Sequence, residues 1–196
     1  MSKKDRIIKK VFDFTLALFG LLVTWPIILI AWAIASIETK SNGFFLQKRV
    51  GQNGKLFTII KIKTMKDMPG GTVTTVLDKR ITKSGRFFRK YKIDELPQLI
   101  NILKGDMSFV GPRPDVPGYA DKLRGEDRII LSVKPGITGP ATLKYKNEEE
   151  ILAKVKNPVK YNDEVIWPDK VNINKEYVKN WSLKKDIKYI LKTLKG

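Results

Sequence analysis

Between Phe14 and Ile37 the chain carries no charged residue, and most of that stretch is strongly apolar. About 20 apolar residues are enough to cross the hydrocarbon core of a bilayer. A segment of this kind has to be buried in lipid or against protein, and the rest of the chain must fold around that demand. Five cations precede it: Lys3, Lys4, Arg6, Lys9 and Lys10. A basic start before an apolar run also describes a secretory signal, but this run is longer than a usual signal core. No small-x-small cleavage site closes it.

Charge favours one topology for the segment. Beyond Ile37 lie 33 cations and 18 anions, a net +15 within a chain of +18 overall. Cations tend to stay on the cytoplasmic side of a membrane, a rule that weakens for long domains. With both flanks basic, a segment that enters and leaves by the same face satisfies it. Pro26, almost central in the run, removes a backbone donor and crowds the carbonyl four residues earlier, which kinks a helix. Thr24 offers a hydroxyl to the freed backbone. The alternative is an ordinary spanning helix. Together these features favour a re-entrant helix-break-helix over residues 1–38, followed by a cytoplasmic domain over residues 39–196.

The chain contains neither cysteine nor histidine. Disulfides, thiolate zinc sites and every Ser-His-Asp or Cys-His arrangement are therefore excluded. Chemistry has to rest on carboxylates, Lys, Arg, Tyr and hydroxyls, with or without a hard metal ion, a set suited to phosphoryl transfer. The positive field attracts nucleic acid, nucleotide phosphates or anionic headgroups, and charge alone does not choose among them.

Patterning predicts an α+β fold, with helices around a small antiparallel sheet or hairpin. FFLQKRVGQNGKLFTIIKIKTM reads as two short strands around Asn53-Gly54, a strong hairpin signal. MPGGTVTTVLD reads as a mobile connection. A short helical stretch opens at Ser84 and runs through Lys90. IDELPQLINILKGD reads as one helix, with Ile93, Leu96, Ile100 and Leu103 at helical spacing and Gly105 as the stop. MSFVGPRPDVPGYAD reads as a rigid, proline-punctuated loop, and LSVKPGITGPATL carries two turn signals. Residues 147–156 read as helical and 157–176 as irregular. The closing SLKKDIKYILKTLKG gathers Leu183, Ile187, Ile190, Leu191 and Leu194 on one face and lysines on the other. Such a helix either lies on a membrane surface or packs on the domain.

Two clusters carry candidate chemistry. In Lys90-Tyr91-Lys92-Ile93-Asp94-Glu95-Leu96-Pro97-Gln98, adjacent carboxylates fall at an expected helix start, where the macrodipole favours negative charge. Carboxylates there often serve only as caps. Arg86, Arg89, Lys90 and Lys92 close by would also keep Asp94 ionised, as a nucleophile at phosphorus must be. In Gly111-Pro112-Arg113-Pro114, flanking prolines restrict the backbone of one arginine, which suits a phosphate clamp or a plain turn. Lys61 and Lys63 share one face of the second strand, either solvated or lining a phosphate site. No Walker A or GxGxxG motif is present, and without histidine any metal has to be oxygen-ligated, with Mg²⁺ the natural candidate.

The order apolar run, QKRVGQNGKLFTIIKIKTM, GRFFRKYKIDELPQLINILKGDMSFVGPRP, KPGITGPA and YVKNWSLKKDIKYILKTL closely resembles the bacterial sugar transferases. More narrowly it resembles the small monotopic phosphoglycosyl transferases. The resemblance implies a catalytic domain on the cytoplasmic face of the bacterial inner membrane, with Mg²⁺ as cofactor. Its implied partners are a UDP-sugar, polyprenyl (undecaprenyl) phosphate and membrane lipids, not nucleic acid; self-association is left open. It implies that Asp94 attacks the sugar-bearing phosphate and releases UMP, and that Glu95 completes a dyad that binds metal or activates the acceptor. Lys61, Arg89, Gln98 and Arg113 fall at expected phosphate- and substrate-binding positions. Three residues depart from the usual pattern: Trp25 before Pro26, Lys63 in place of arginine and Lys92 in place of serine. A nucleic-acid binder would not need the apolar run or the paired carboxylates, and a lipid-binding scaffold would leave UDP-sugars untouched.

Overall fold

The computed structural model describes residues 1–68 and 78–195. Most of the segment expected to be a mobile connection therefore lies outside the described residues. Helix α1 runs unbroken from Lys3 to Thr39, 37 residues and about 55 Å at 1.5 Å per residue. Ser2 caps it reciprocally. Its hydroxyl accepts from the Asp5 amide at 3.1 Å, and its own amide donates to Asp5 Oδ2 at 2.9 Å.

The helix-break-helix expectation for residues 1–38 is corrected here, because Pro26 lies inside a continuous helix. Packing on both sides of the proline accounts for this. On one side, Ala17 and Leu21 join Phe57, Ile59, Leu99, Ile102 and Met107. On the other, Ile28, Ala31 and Ala35 join Ile62 and Phe88. Two halves seated on one surface tolerate the loss of one backbone hydrogen bond. The Thr24 hydroxyl donates to the Gly20 carbonyl at 2.7 Å, and a Cβ at Gly20 would lie 3.3 Å from Leu99, so the contact there is close. The outward side of α1 exposes Phe19, Leu22, Val23, Trp25, Ile30 and Ile37, each more than half accessible. An apolar surface of that extent marks an interaction face.

Strands β1 (Phe44–Val50) and β2 (Leu56–Ile62) pair antiparallel, from Phe44 opposite Ile62 to Val50 opposite Leu56. The hairpin was legible at Asn53-Gly54. Both residues take positive φ, 58° and 79°, within a tight helical turn over Gln52–Gly54. Helix α2 (Lys83–Lys90) follows, capped by the Thr82 hydroxyl. The predicted single helix over residues 93–106 is divided into a 3₁₀ turn at Ile93–Glu95 and helix α3 (Gln98–Lys104). Pro97 between them has no N–H to continue the ladder. Gly105, at φ 85°, ends α3 as expected.

The proline-punctuated loop contains a short strand, β3 (Ser108–Val110), parallel to β4 (Gly136–Thr138). Next come α4 (Pro140–Lys144), α5 (Glu148–Ala153), α6 (Pro158–Tyr161), a π turn at Asn162–Ile166 and α7 (Trp167–Lys179). The irregular reading of residues 157–176 is thus corrected. Pro158 and Pro168 fall in the first turns of their helices, where proline is tolerated. Ile166, Val171, Asn174, Tyr177 and Val178 form the buried face.

Helix α8 (Leu183–Lys195) both packs and exposes apolar surface. Tyr189 and Ile190 pack on Val110, Val133, Tyr177 and Val178, while Ile187, Leu191 and Leu194 stay exposed. Asp186, fully buried, ties this end of the molecule together. It pairs with Lys9 of α1 and accepts from Trp181 Nε1 at 2.9 Å and Tyr177 at 2.8 Å.

Candidate active site

Asp94 and Glu95 occupy the 3₁₀ turn that joins α2 to α3, behind Lys92 in the left-handed region at φ 57°. Because α3 starts only at Gln98, the helix dipole expected beneath Asp94 is weak. Both carboxylates are buried, at 8% and 7% accessibility. Lys61, from the end of β2, and Arg113, from the loop after β3, converge on a single oxygen. Lys61 Nζ lies 3.0 Å and Arg113 Nη2 2.8 Å from Glu95 Oε1.

Close backbone contact holds the arginine loop in place. The Gly111 amide donates to Thr138 O at 2.9 Å and the Gly136 amide to Pro112 O at 2.8 Å. A Cβ at Gly111 would come within 2.4 Å of the Lys134 carbonyl. The rigid presentation expected of Gly111-Pro112-Arg113-Pro114 is therefore realised by strand pairing as well as by proline.

The electrostatics separate the two carboxyls. Burial works against ionisation of Glu95, but the charges of Arg113 and Lys61 outweigh it and hold the group well below the usual carboxylate range. Asp94 moves the other way. Burial, then the adjacent negative charge of Glu95, push it up to about 6, with Lys61, Arg89 and Lys92 only partly opposing. Asp94 Oδ1 is buried without a hydrogen-bond partner. Of the cations expected to keep Asp94 ionised, Arg89 and Lys92 act on it only through charge, and Arg89 is ion-paired with Glu149.

The remaining predicted residues divide. Gln98 is buried at 2%, with its Nε2 unpartnered. Arg89 forms an ion pair with Glu149 of α5, although its charge still reaches Asp94. Lys63 turns to Asp67 and Ser41. Among the described residues no cluster of three or more acidic or other metal-ligating side chains occurs. The dyad provides one free buried oxygen on Asp94, while Glu95 Oε1 is already held by two cations. That donor set fits a hard cation such as Mg²⁺, which takes one or two carboxylates and completes its shell with phosphate and water.

Sequence reading missed Arg49 and Asp115. Arg49 Nη1 donates to the Pro114 carbonyl at 3.3 Å, and burial pushes Asp115 up to about 7. Alternation along β1 was the available signal, since it sets Gln47 and Arg49 on the face of the hairpin that carries Lys61.

A family model described as bacterial sugar transferase matches residues 4–196. The chain belongs to that family. This sugar transferase is 38% identical over 190 residues to the protein named uncharacterized sugar transferase EpsL of Bacillus subtilis (strain 168), covering 96% of this chain and 86% of the relative. It is 33% identical over 201 residues to the UDP-glucose:undecaprenyl-phosphate glucose-1-phosphate transferase of Escherichia coli (strain K12), covering 99% of this chain and 41% of that protein. It is 32% identical over 214 residues to the undecaprenyl-phosphate galactose phosphotransferase of Salmonella typhimurium, with coverage of 99% and 41%. The transferase therefore spans most of the first relative and about two fifths of the other two. Relatives of this chain are undecaprenyl-phosphate sugar-phosphate transferases.

Proposed function

We propose that the protein transfers a phosphosugar from a UDP-sugar to polyprenyl phosphate through a covalent intermediate on Asp94, at the cytoplasmic face of the bacterial inner membrane. The observation that carries this reading is Asp94 Oδ1, a buried carboxylate oxygen with no partner, beside a glutamate that takes up both adjacent cations. In the first step this oxygen attacks the sugar-bearing phosphorus. The bond from that phosphorus to the bridging oxygen breaks, and UMP leaves with the electron pair. In the second step a phosphate oxygen of the polyprenyl phosphate attacks the same phosphorus. The phosphorus–Asp94 bond breaks, which restores the carboxylate and yields a polyprenyl diphosphosugar.

Glu95 holds Lys61 and Arg113 in register, so two cations stand ready for phosphate oxygens. Arg113, 41% accessible at its side chain, is the open member, while Arg89 and Gln98 flank the dyad. Asp94, with Glu95, would hold Mg²⁺, which supplies charge neutralisation on a diphosphate when bound. Incubation with UDP-sugar alone should release one UMP per site and add one phosphosugar mass to the peptide containing Asp94. Chelation with EDTA should stop this release, and Mg²⁺ should restore it. UMP release that requires both substrates would sink the covalent step, and full activity in EDTA would remove the metal.

The membrane placement has its own support. Lys9 and Asp13 near one end of α1 are buried and bonded to Asp186 and to the Phe109 amide, while Ala31 and Ala35 near the other end are also buried. Ends packed on the same charged body cannot lie on opposite sides of a bilayer unless that body enters it, at high cost in desolvation. We therefore infer that α1 lies in one leaflet with its apolar side in lipid. Since the chain has no cysteine, single cysteines at Ser2 and Ser182 can be labelled with an impermeant maleimide. Both should stay protected in intact cells and react once the inner membrane is opened. Labelling of Ser2 alone from outside would make α1 a spanning helix.

A further inference from the structure

The hairpin face that carries Lys61 also carries a cation, Arg49, that forms no ion pair among the described residues. Phe45 stands opposite Lys61, Gln47 opposite Ile59 and Arg49 opposite Phe57. Residues opposite one another in an antiparallel pair point to the same side, so Gln47, Arg49 and Lys61 share a face. Among the described residues Arg49 has no ion-pair partner. Its Nη1 makes one long hydrogen bond, 3.3 Å, to the Pro114 carbonyl, and its Nε is buried and unpartnered. Gln47 Oε1 is buried and unpartnered as well. The Val50 amide donates to Asp115 O at 2.9 Å, which fastens the end of β1 to the loop that presents Arg113.

Two guanidinium groups are thus gathered at one loop, and among the described residues the ion-paired anion there is Glu95, on Arg113. Burial, then the positive charge of Arg113, push Arg49 below its ordinary value, and Asp115 only partly offsets them. A half-buried guanidinium with a buried, unpartnered Nε and no ion pair is costly unless a ligand completes it. The arrangement has a direction. The cations whose charges act most on Asp94 are Lys61, Arg89 and Lys92, whereas Arg49 interacts with Arg113 and Asp115. The hairpin register agrees: Arg49 stands opposite Phe57, four positions along β2 from Lys61, and reaches the Pro114 carbonyl, next in the chain to Arg113.

In an in-line displacement the leaving group departs opposite the attacking oxygen. We propose that Arg49 binds the phosphate of the departing nucleoside monophosphate and receives the negative charge that develops as it leaves. This rests on the reading of Asp94 as nucleophile. As the bond from the sugar-bearing phosphorus to the bridging oxygen breaks, that oxygen keeps the electron pair and becomes a terminal oxygen of the monophosphate. Arg49 is already a full cation, so no proton has to move. The second step, in which the lipid phosphate attacks the adduct, makes no use of Arg49.

This separation supplies the test. Arg49→Gln retains a donor for the Pro114 carbonyl, and Lys48→Gln, an exposed residue on the opposite face of β1, serves as the control. UMP should inhibit the Arg49→Gln protein about 10- to 100-fold less well than wild type, as expected for loss of charge-assisted hydrogen bonds. The burst of UMP from donor alone should slow, while adduct formed at length should pass to polyprenyl phosphate at the wild-type rate. Lys48→Gln should match wild type throughout. Unchanged UMP inhibition in Arg49→Gln would overturn the proposal, as would equal slowing of both half-reactions. Competition by UMP does not depend on an adduct. If wild type never labels on Asp94, the covalent reading fails while the Arg49 assignment is still decided by the UMP comparison.

Discussion

Asp94→Asn is expected to remove turnover, by roughly 10³-fold or more, and at the same time to make the folded protein more stable at neutral pH. The amide has the shape of the carboxylate but cannot attack phosphorus. The gain in stability follows from the position of the group. Asp94 is buried beside Glu95 and pushed up to about 6 from an ordinary value of 3.8. Between those two pH values the folded state binds a proton that the unfolded state has already lost. Stability contributed by protonated Asp94 is therefore complete below about 3.8 and is lost as pH rises through about 6. Asparagine carries no such penalty. The melting temperature of Asp94→Asn should exceed that of wild type at pH 7.5, and the difference should shrink towards pH 4. The donor half-reaction of wild type should fall off below about pH 6, as the nucleophile becomes protonated. Turnover within tenfold of wild type, or a lower melting temperature at pH 7.5, would remove Asp94 from this role.

The structure brings together three of the residues singled out in the sequence, Lys61, Glu95 and Arg113. Asp94, Glu95, Lys61 and Arg113 were all expected in the site, the last two on the family resemblance, while strand alternation left open whether Lys61 faces solvent or the site. Which carboxylate the cations meet was not legible. That depends on Lys92 adopting a left-handed conformation and on Pro97 dividing the helix, so that Glu95 rather than Asp94 meets both. Arg49 was legible in principle from the same alternation, but its value lies in the Pro114 contact across 65 positions. Both corrected segments, residues 1–38 and 157–176, contain prolines that the folded chain accommodates within helix. At Pro26 tertiary packing keeps the helix whole, and Pro158 and Pro168 sit in first turns where they fit. Conversely, β3 and β4 span three residues each, too short for a period-2 pattern to register.

Glu95→Gln should produce the opposite signature to Asp94→Asn. Glu95 is the anion for both Lys61 and Arg113, and neutralising it leaves two cations crowded together. Removing one partner of a buried pair costs on the order of 3 kcal/mol or more. Lys61, at 16% accessibility, carries most of that loss, since Arg113 is 41% accessible and water can partly rehydrate it. Glu95 lies well below its ordinary value of 4.5. Its stabilisation is therefore fully present above about pH 4.5 and fades only as the pH falls towards its folded value. The deficit of Glu95→Gln should accordingly largely survive at pH 4, where the gain of Asp94→Asn has shrunk. Because the Glu95 charge is one cause of the raised Asp94 value, the acid limb of UMP release should also move below pH 6. Inorganic phosphate, as an anion for the orphaned cations, should return part of the lost stability to Glu95→Gln and do less for wild type. Thermal melts at pH 4 and 7.5, with and without phosphate, read all of this together with a pH profile of the first half-reaction. A Glu95→Gln protein with wild-type melting and an unmoved acid limb would mean that Glu95 neither organises the two cations nor tunes the nucleophile.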